Sequence, residues 1–220
     1  MHAFDTPTPI TAVLDIPAGR IQFIASDRAD TTVEVAPVDP GKSRDTKVAE
    51  HTTVTYAEGV LRIAAAAAGN QLFGPSGSLE VTVHLPAGSR VESSAGGSEL
   101  RGVGRLGEVA FDGARRVEID EAASVRLAAV DGNVQVGRLT GPADISTTQG
   151  DIQIAEAVRG TVVLRTHSGD ISVAAAAGVS AALDANTLHG RVGNALKNNG
   201  TTELDIRATT SRGDIIARSL

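Results

Sequence analysis

Apolar and polar residues alternate along most of this chain, and in its second half glycine interrupts the alternation at intervals of one structural unit. A Gly, a polar residue and apolar residues at alternate positions recur as Gly132-Asn133-Val134-Gln135-Val136, Gly150-Asp151-Ile152-Gln153-Ile154, Gly169-Asp170-Ile171-Ser172-Val173, Gly190-Arg191-Val192-Gly193-Asn194 and Gly213-Asp214-Ile215-Ile216-Ala217. Their glycines are 18, 19, 21 and 23 residues apart. Seven, five and three positions before each glycine lie Val125, Leu127, Ala129; Ala143, Ile145, Thr147; Val162, Leu164, Thr166; Leu183, Ala185, Thr187; and Ile206, Ala208, Thr210. A period of two puts each set on one face of a strand, with Arg165, Asp184, Asn186 and Arg207 on the other. Each unit therefore predicts two strands meeting at a Gly-Asx corner.

What remains of each unit is short and carries one apolar residue, Leu139, Val158 or Val179, close to a small one, which predicts a third and shorter side. A strand cannot turn sharply where a Cβ opposes positive φ, so glycine beside Asp or Asn is the expected corner. A left-handed hexapeptide helix would repeat apolar residues every six positions. Stepping from Ile152 back to Ser146 and from Leu164 on to Asp170 breaks that rule. The fold class expected is all-β, a β-solenoid of the right-handed or irregular single-stranded kind, with rungs of about 18–23 residues over 79–220. Residues 1–78 read as a less regular, strand-rich cap or set of early rungs, with a mobile polar loop at 40–50, the whole forming one continuous solenoid.

Composition narrows the chemistry. A net charge of −6 opposes a broad basic surface, so neither nucleic acid nor anionic membrane is expected as a partner. With no cysteine, disulfides, thiol catalysis and Cys-ligated zinc drop out together. Aromatic residues make up 2% of the chain, too few for stacking platforms on sugars or bases. The longest apolar run, Val60 to Ala68, is broken by Arg62 and is far short of the ~20 residues of a membrane span. The start Met1-His2-Ala3-Phe4-Asp5 does not read as a secretory signal, so a cytoplasmic location is expected.

The rung Thr166-His167-Ser168-Gly169-Asp170-Ile171-Ser172-Val173, together with the Pro-Ala-Gly turns at Pro17 and Pro86, resembles the bacterial "putative adhesin" family of β-strand-repeat proteins, domain of unknown function 4097. The resemblance is clearest from Leu79 to Leu220 and implies a β-helical fold with no catalytic residues to carry over.

Four groups are candidates for chemistry. Asp151, Asp170 and Asp214, in register with Asn133, form either a cation ladder or a row of turn caps, and capping within each turn is the expectation. Thr147, Thr166, Thr187 and Thr210 predict a ladder of hydroxyls bonded to one another. His167 and His189 fall in consecutive rungs near the corner, where exposed turn histidines are ordinary. Glu118, Asp120 and Glu121 are the densest acidic group, the one place for paired-carboxylate glycan cleavage. Gly96-Gly97 and Gly102-x-Gly104 lack the lysine and helix of a phosphate loop. The function expected is that of a non-enzymatic scaffold that presents flat strand faces to a protein partner, without cofactor, metal or catalytic site. An exported surface adhesin and a carbohydrate-active β-helix enzyme are the alternatives.

Overall fold

In the computed structural model, residues 1–65, 77–93 and 97–220 are described, and the side chain of Ala129 is not. The Val60–Ala68 run thus lies partly outside the described residues, and so does Gly96. The strands β1 (His2–Asp5), β2 (Thr11–Asp15), β3 (Gly19–Ser26) and β4 (Asp30–Pro37) precede α1 (Ser43–Glu50), the one helix among the described residues. β5 (Thr53–Ala57), β6 (Val60–Ala64), β7 (Leu79–Pro86) and β8 (Arg90–Ser93) lead to two long strands, β9 (Ser98–Asp112) and β10 (Arg116–Asp131). The repeats supply β11 (Val134–Leu139), β12 (Ala143–Gln149), β13 (Ile152–Ala157), β14 (Gly160–Ser168), β15 (Ile171–Ala175), β16 (Ala181–His189), β17 (Val192–Ala195), β18 (Leu204–Arg212) and β19 (Ile215–Ser219). The chain is a β-solenoid, as the alternation predicts.

Each repeat contributes its pre-glycine strand to one parallel ladder and its post-glycine strand to a second. The expected third side is present. Leu139 lies opposite Ala122 and Ala157, and Ala157 opposite Ala175, with all four side chains buried. The buried residue after Glu156 is Ala157, while Val158 is only half-buried, so the inward position sits one residue earlier than the sequence reading puts it. The inward sets of the inner rungs are otherwise buried as predicted, whereas Leu183, Ala185 and Thr187 are only half-buried. Val162, Leu164, Ile206 and Ala208 are fully or almost fully enclosed, and Val125 and Leu127 join them. In β10 the register shifts after Leu127, so that Val130 pairs with Thr147 and is the buried residue there.

The stacking order does not follow the sequence. β18 pairs with both β14 and β16, and β19 with both β15 and β17, so the last rung in sequence is inserted beneath the one that precedes it. The beginning of the chain does the same. β2 lies between β6 and β8, and β3 between β7 and β9. Both terminal rungs are therefore second from an end, and the solenoid is irregular in rung order although regular in rung shape.

The two ends of the stack differ. At the end nearer the N-terminus β4 pairs antiparallel with β7 and carries β1 outside it, while β5 pairs antiparallel with β6. Phe4 and Tyr56 pack there with ring centroids 5.5 Å apart. Residues 43–50, expected as part of a mobile polar loop, form α1 instead. Asp45 holds it in place: its buried carboxylate accepts hydrogen bonds from the N–H of Ser78 at 2.9 Å and of Asp39 at 3.2 Å. Two backbone donors distant in sequence converge on one charge, which a reading of local polarity cannot foresee. At the other end, among the described residues, β16 and β17 pair with strands on one side only.

The opposite parities of Leu164 and Arg165 give a direct check of register. Leu164 is fully buried, and Arg165 is exposed and paired with Asp144 at 2.8 Å. Leu164→Ala should cost about 2–5 kcal/mol in denaturant unfolding. Arg165→Ala should cost less than about 1 kcal/mol.

Candidate functional site

The Gly-Asx corner is built from three ladders that run in the stacking direction. The first is steric. A Cβ on Gly169 would lie 2.0 Å from the carbonyl oxygen of Gly150, and one on Gly190 would lie 1.9 Å from that of Gly213. Gly169 has φ +153°, but φ at Gly190 is not positive. Close approach of the neighbouring rung, rather than dihedral freedom alone, is the requirement the five glycines share.

The second ladder is made by the Asx side chains. Asn133 Oδ1 accepts the N–H of Asp151 at 3.0 Å, Asp151 Oδ1 that of Asp170 at 2.8 Å, Asp170 Oδ1 that of Asp214 at 2.7 Å, and Asp214 Oδ1 that of Arg191 at 2.8 Å. The sequence reading placed each cap within its own turn. The acceptor instead serves the next rung, and the order Asp170, Asp214, Arg191 follows the inserted rung. The third ladder corrects the threonine expectation similarly. Thr147, Thr166, Thr210 and Thr187 donate to the carbonyls of Gly132, Gly150, Gly169 and Gly213 at 3.0–3.3 Å, not to one another.

Arg191 ends the Asx ladder because it offers no acceptor to a further rung. Its guanidinium turns back on Asp214, with Nη2 2.8 Å from Oδ2. That hydrogen bond, followed by the one from the Arg191 N–H, holds the Asp214 carboxyl below the usual carboxylate range.

The other candidates are dispersed or already engaged. His167 is on β14 and His189 on β16, with β18 between them, so the two are not in adjacent rungs as their sequence order implies. Arg101 reaches Asp120 at 2.9 Å and Glu118 at 3.4 Å, and Arg116 reaches Glu118 at 2.6 Å. Asp120 also accepts the N–H of Gly104 at 3.1 Å, and Glu121 lies opposite Arg105 and Arg138 in the ladder. Among the described residues, no three His, Cys, Asp or Glu side chains converge to hold a metal ion, and no helix is long and apolar enough to cross a membrane.

The open end stands out. Apart from the terminal residues Met1 and Leu220, the exposed large apolar side chains among the described residues are Leu188 at 71%, Val192 at 47% and Ile216 at 50%. They lie on β16, β17 and β19, the last two rungs of the stack. Gly193 leaves the flank of Ile216 uncovered, since a Cβ there would meet nothing closer than 4.0 Å. Leu183, Ala185 and Leu196, which pack against the core, are only half-buried. Sequence reading missed this site because Leu183 and Ala185 obey the same alternation as every inner rung. Only the stacking order exposes them.

The model of the Toastrack DUF4097 family matches residues 12–217. The chain belongs to that family. This Toastrack chain also shares its fold with a "putative adhesin" from Bacteroides fragilis at TM-score 0.52 and 10% identity, over 98% of this chain and 95% of that one. A "putative cell adhesion protein" from Clostridium sporogenes aligns at TM-score 0.41 and 11% identity, over 100% and 98% of the two chains. No curated protein matches the Toastrack sequence.

Stability and titration check the Toastrack corner. Asp170→Asn keeps an acceptor and should shift stability by only a few tenths of a kcal/mol. Asp170→Ala leaves the Asp214 N–H without its acceptor and should cost about 0.5–1.5 kcal/mol. A gain of several degrees in melting temperature with millimolar calcium would instead establish a cation site. The contribution of the Asp214 pair should be complete above the ordinary carboxylate pKa of about 3.9 and fade as pH falls through the lowered folded value. In Arg191→Ala, the Asp214 side chain should titrate higher, as followed by carbonyl NMR. An unchanged titration would show that the pair does not form in solution.

Proposed function

We propose that this Toastrack chain is a non-enzymatic solenoid module that binds a protein partner by strand addition at its open end. The inequality of the ends carries the reading. One end is closed by antiparallel strands, and the other presents Leu188, Val192 and Ile216 beside strands paired on a single side. Exposed large apolar side chains gathered on the last two rungs favour an interaction there, and a free strand edge recognises an extended segment through its main chain. The flat outer faces, expected from sequence to be the binding surface, are occupied by internal pairs such as Arg20–Glu80, Arg101–Asp120 and Arg165–Asp144. The same pairing supports a non-catalytic reading of Glu118 and Asp120. A role in adhesion, the word attached to the Bacteroides fragilis protein, would use the same edge.

A photo-crosslinking residue placed at Leu188 should form protein adducts in living cells, and one at Gln153 on the middle of the solenoid should not. Equal adducts at the two positions, or none at Leu188, would remove the edge as the binding surface. Cleavage of a glycan that disappears in Glu118→Gln would remove the non-enzymatic part.

A further inference from the structure

We propose that the open end pairs with a second copy of itself, through antiparallel addition of β16 to its two-fold mate centred on Ala185. This rests on the open end being a binding edge and names its partner. In a strand, successive residues direct their backbone groups to opposite neighbours. Ser180 accepts from Glu203 and Leu204, so it faces β18. Ala181 faces away: its N–H donates to Lys197 at 3.0 Å and its carbonyl accepts from Asn198 at 3.1 Å. By alternation Leu183, Ala185 and Thr187 also direct N–H and C=O away from β18. The segment after β17 thus straps the start of β16 and, among the described residues, leaves Leu183, Ala185 and Thr187 free to accept a strand, with Ala185 at their centre.

A two-fold axis at that centre uses all three. Ala185 exchanges both backbone bonds with its own copy, and Leu183 exchanges them with Thr187 of the second copy in both senses. No alternative register satisfies the whole free set. Charge agrees with this register. Asp184 is the only Asp, Glu, Lys or Arg of β16, and the register sets it opposite Asn186, so like charges do not meet. Residues 181–220 hold five Lys and Arg against four Asp and Glu in a chain whose net charge is −6, so this segment carries none of the net negative charge that would oppose pairing. Ala181, Ala182 and Ala185 present little side-chain bulk to an approaching backbone, and the half-buried Leu183 is covered by the mate. The antiparallel cap on the far end prevents head-to-tail growth, so the assembly closes at two.

The absence of native cysteine allows a clean test. A hydrogen-bonded antiparallel pair has Cα atoms about 5.5 Å apart, within disulfide range. Ala185→Cys should therefore form a covalent dimer under mild oxidation far faster than Asp27→Cys, which is exposed on a distant turn. Light scattering of the unmodified protein should show a dimer that dissociates on dilution. Ala185→Pro removes an N–H that the monomer does not use. It should give a monomer at every concentration with nearly unchanged melting. A protein that stays monomeric at submillimolar concentration overturns the proposal, and so does a dimer in which the two cysteine variants cross-link equally. If the protein is monomeric yet a residue at Leu188 captures a different protein in cells, self-pairing fails while the binding edge stands.

Discussion

Stacking parallel strands around a sharp corner requires the backbone of one rung to occupy the space where the next would carry a Cβ. The carbonyls of Gly132, Gly150, Gly169 and Gly213 meet that demand, and each is used three ways at once. It occupies the space a Cβ on the next glycine would need, it accepts a threonine hydroxyl, and it sits beside an Asx whose side-chain oxygen accepts an N–H one rung on. The side chains that complete the corner come from different rungs, so no rung is satisfied alone. Cooperativity in a solenoid is commonly assigned to apolar stacking. Here a polar column at one corner shares the task, and its direction is fixed because every acceptor points the same way along the stack.

That direction explains where the column stops. Four rungs present an amide or carboxylate to their successor, and the fifth presents Arg191, which can only donate. The residue at the position is a cation in a column of acids, and its charge is spent on Asp214 rather than on solvent or a partner. Around it the rung of β16 and β17 softens in composition: Asn194 takes a position that holds Val173 in an inner rung, and its Oδ1 accepts the N–H of Leu196 to turn the chain. The end is thus finished at the corner and left open along β16.

Much of this was legible in the residues. The period of two, the corner glycines, the inward sets and the third side follow from elementary sterics, and the match of the Toastrack model over residues 12–217 agrees with the resemblance drawn from the Thr-x-x-Gly-Asp rung. The rung order was not legible, because Ile206, Ala208 and Thr210 repeat the pattern of Leu183, Ala185 and Thr187 and nothing local says which lies inside. Side-chain partners one rung away are invisible for the same reason, which is why local alternation points the Thr and Asx bonds to the wrong neighbours. α1 was missed because its anchor is a long-range contact from Asp45 to the backbone of Ser78. The open end inherits its obscurity from the rung order.

The inserted rungs also set a timetable for synthesis. A solenoid stacked in sequence order can grow as it leaves the ribosome, each rung adding to the one before. In this chain β16 and β17 acquire their native ladder partners only after residues 204–219 have emerged, and β2 and β3 wait in the same way for β6 to β9. In the finished molecule β18 and β19 lie between other rungs, so that fraying at the C-terminal side has to begin instead at the outermost rung of β16 and β17, which is interior in sequence.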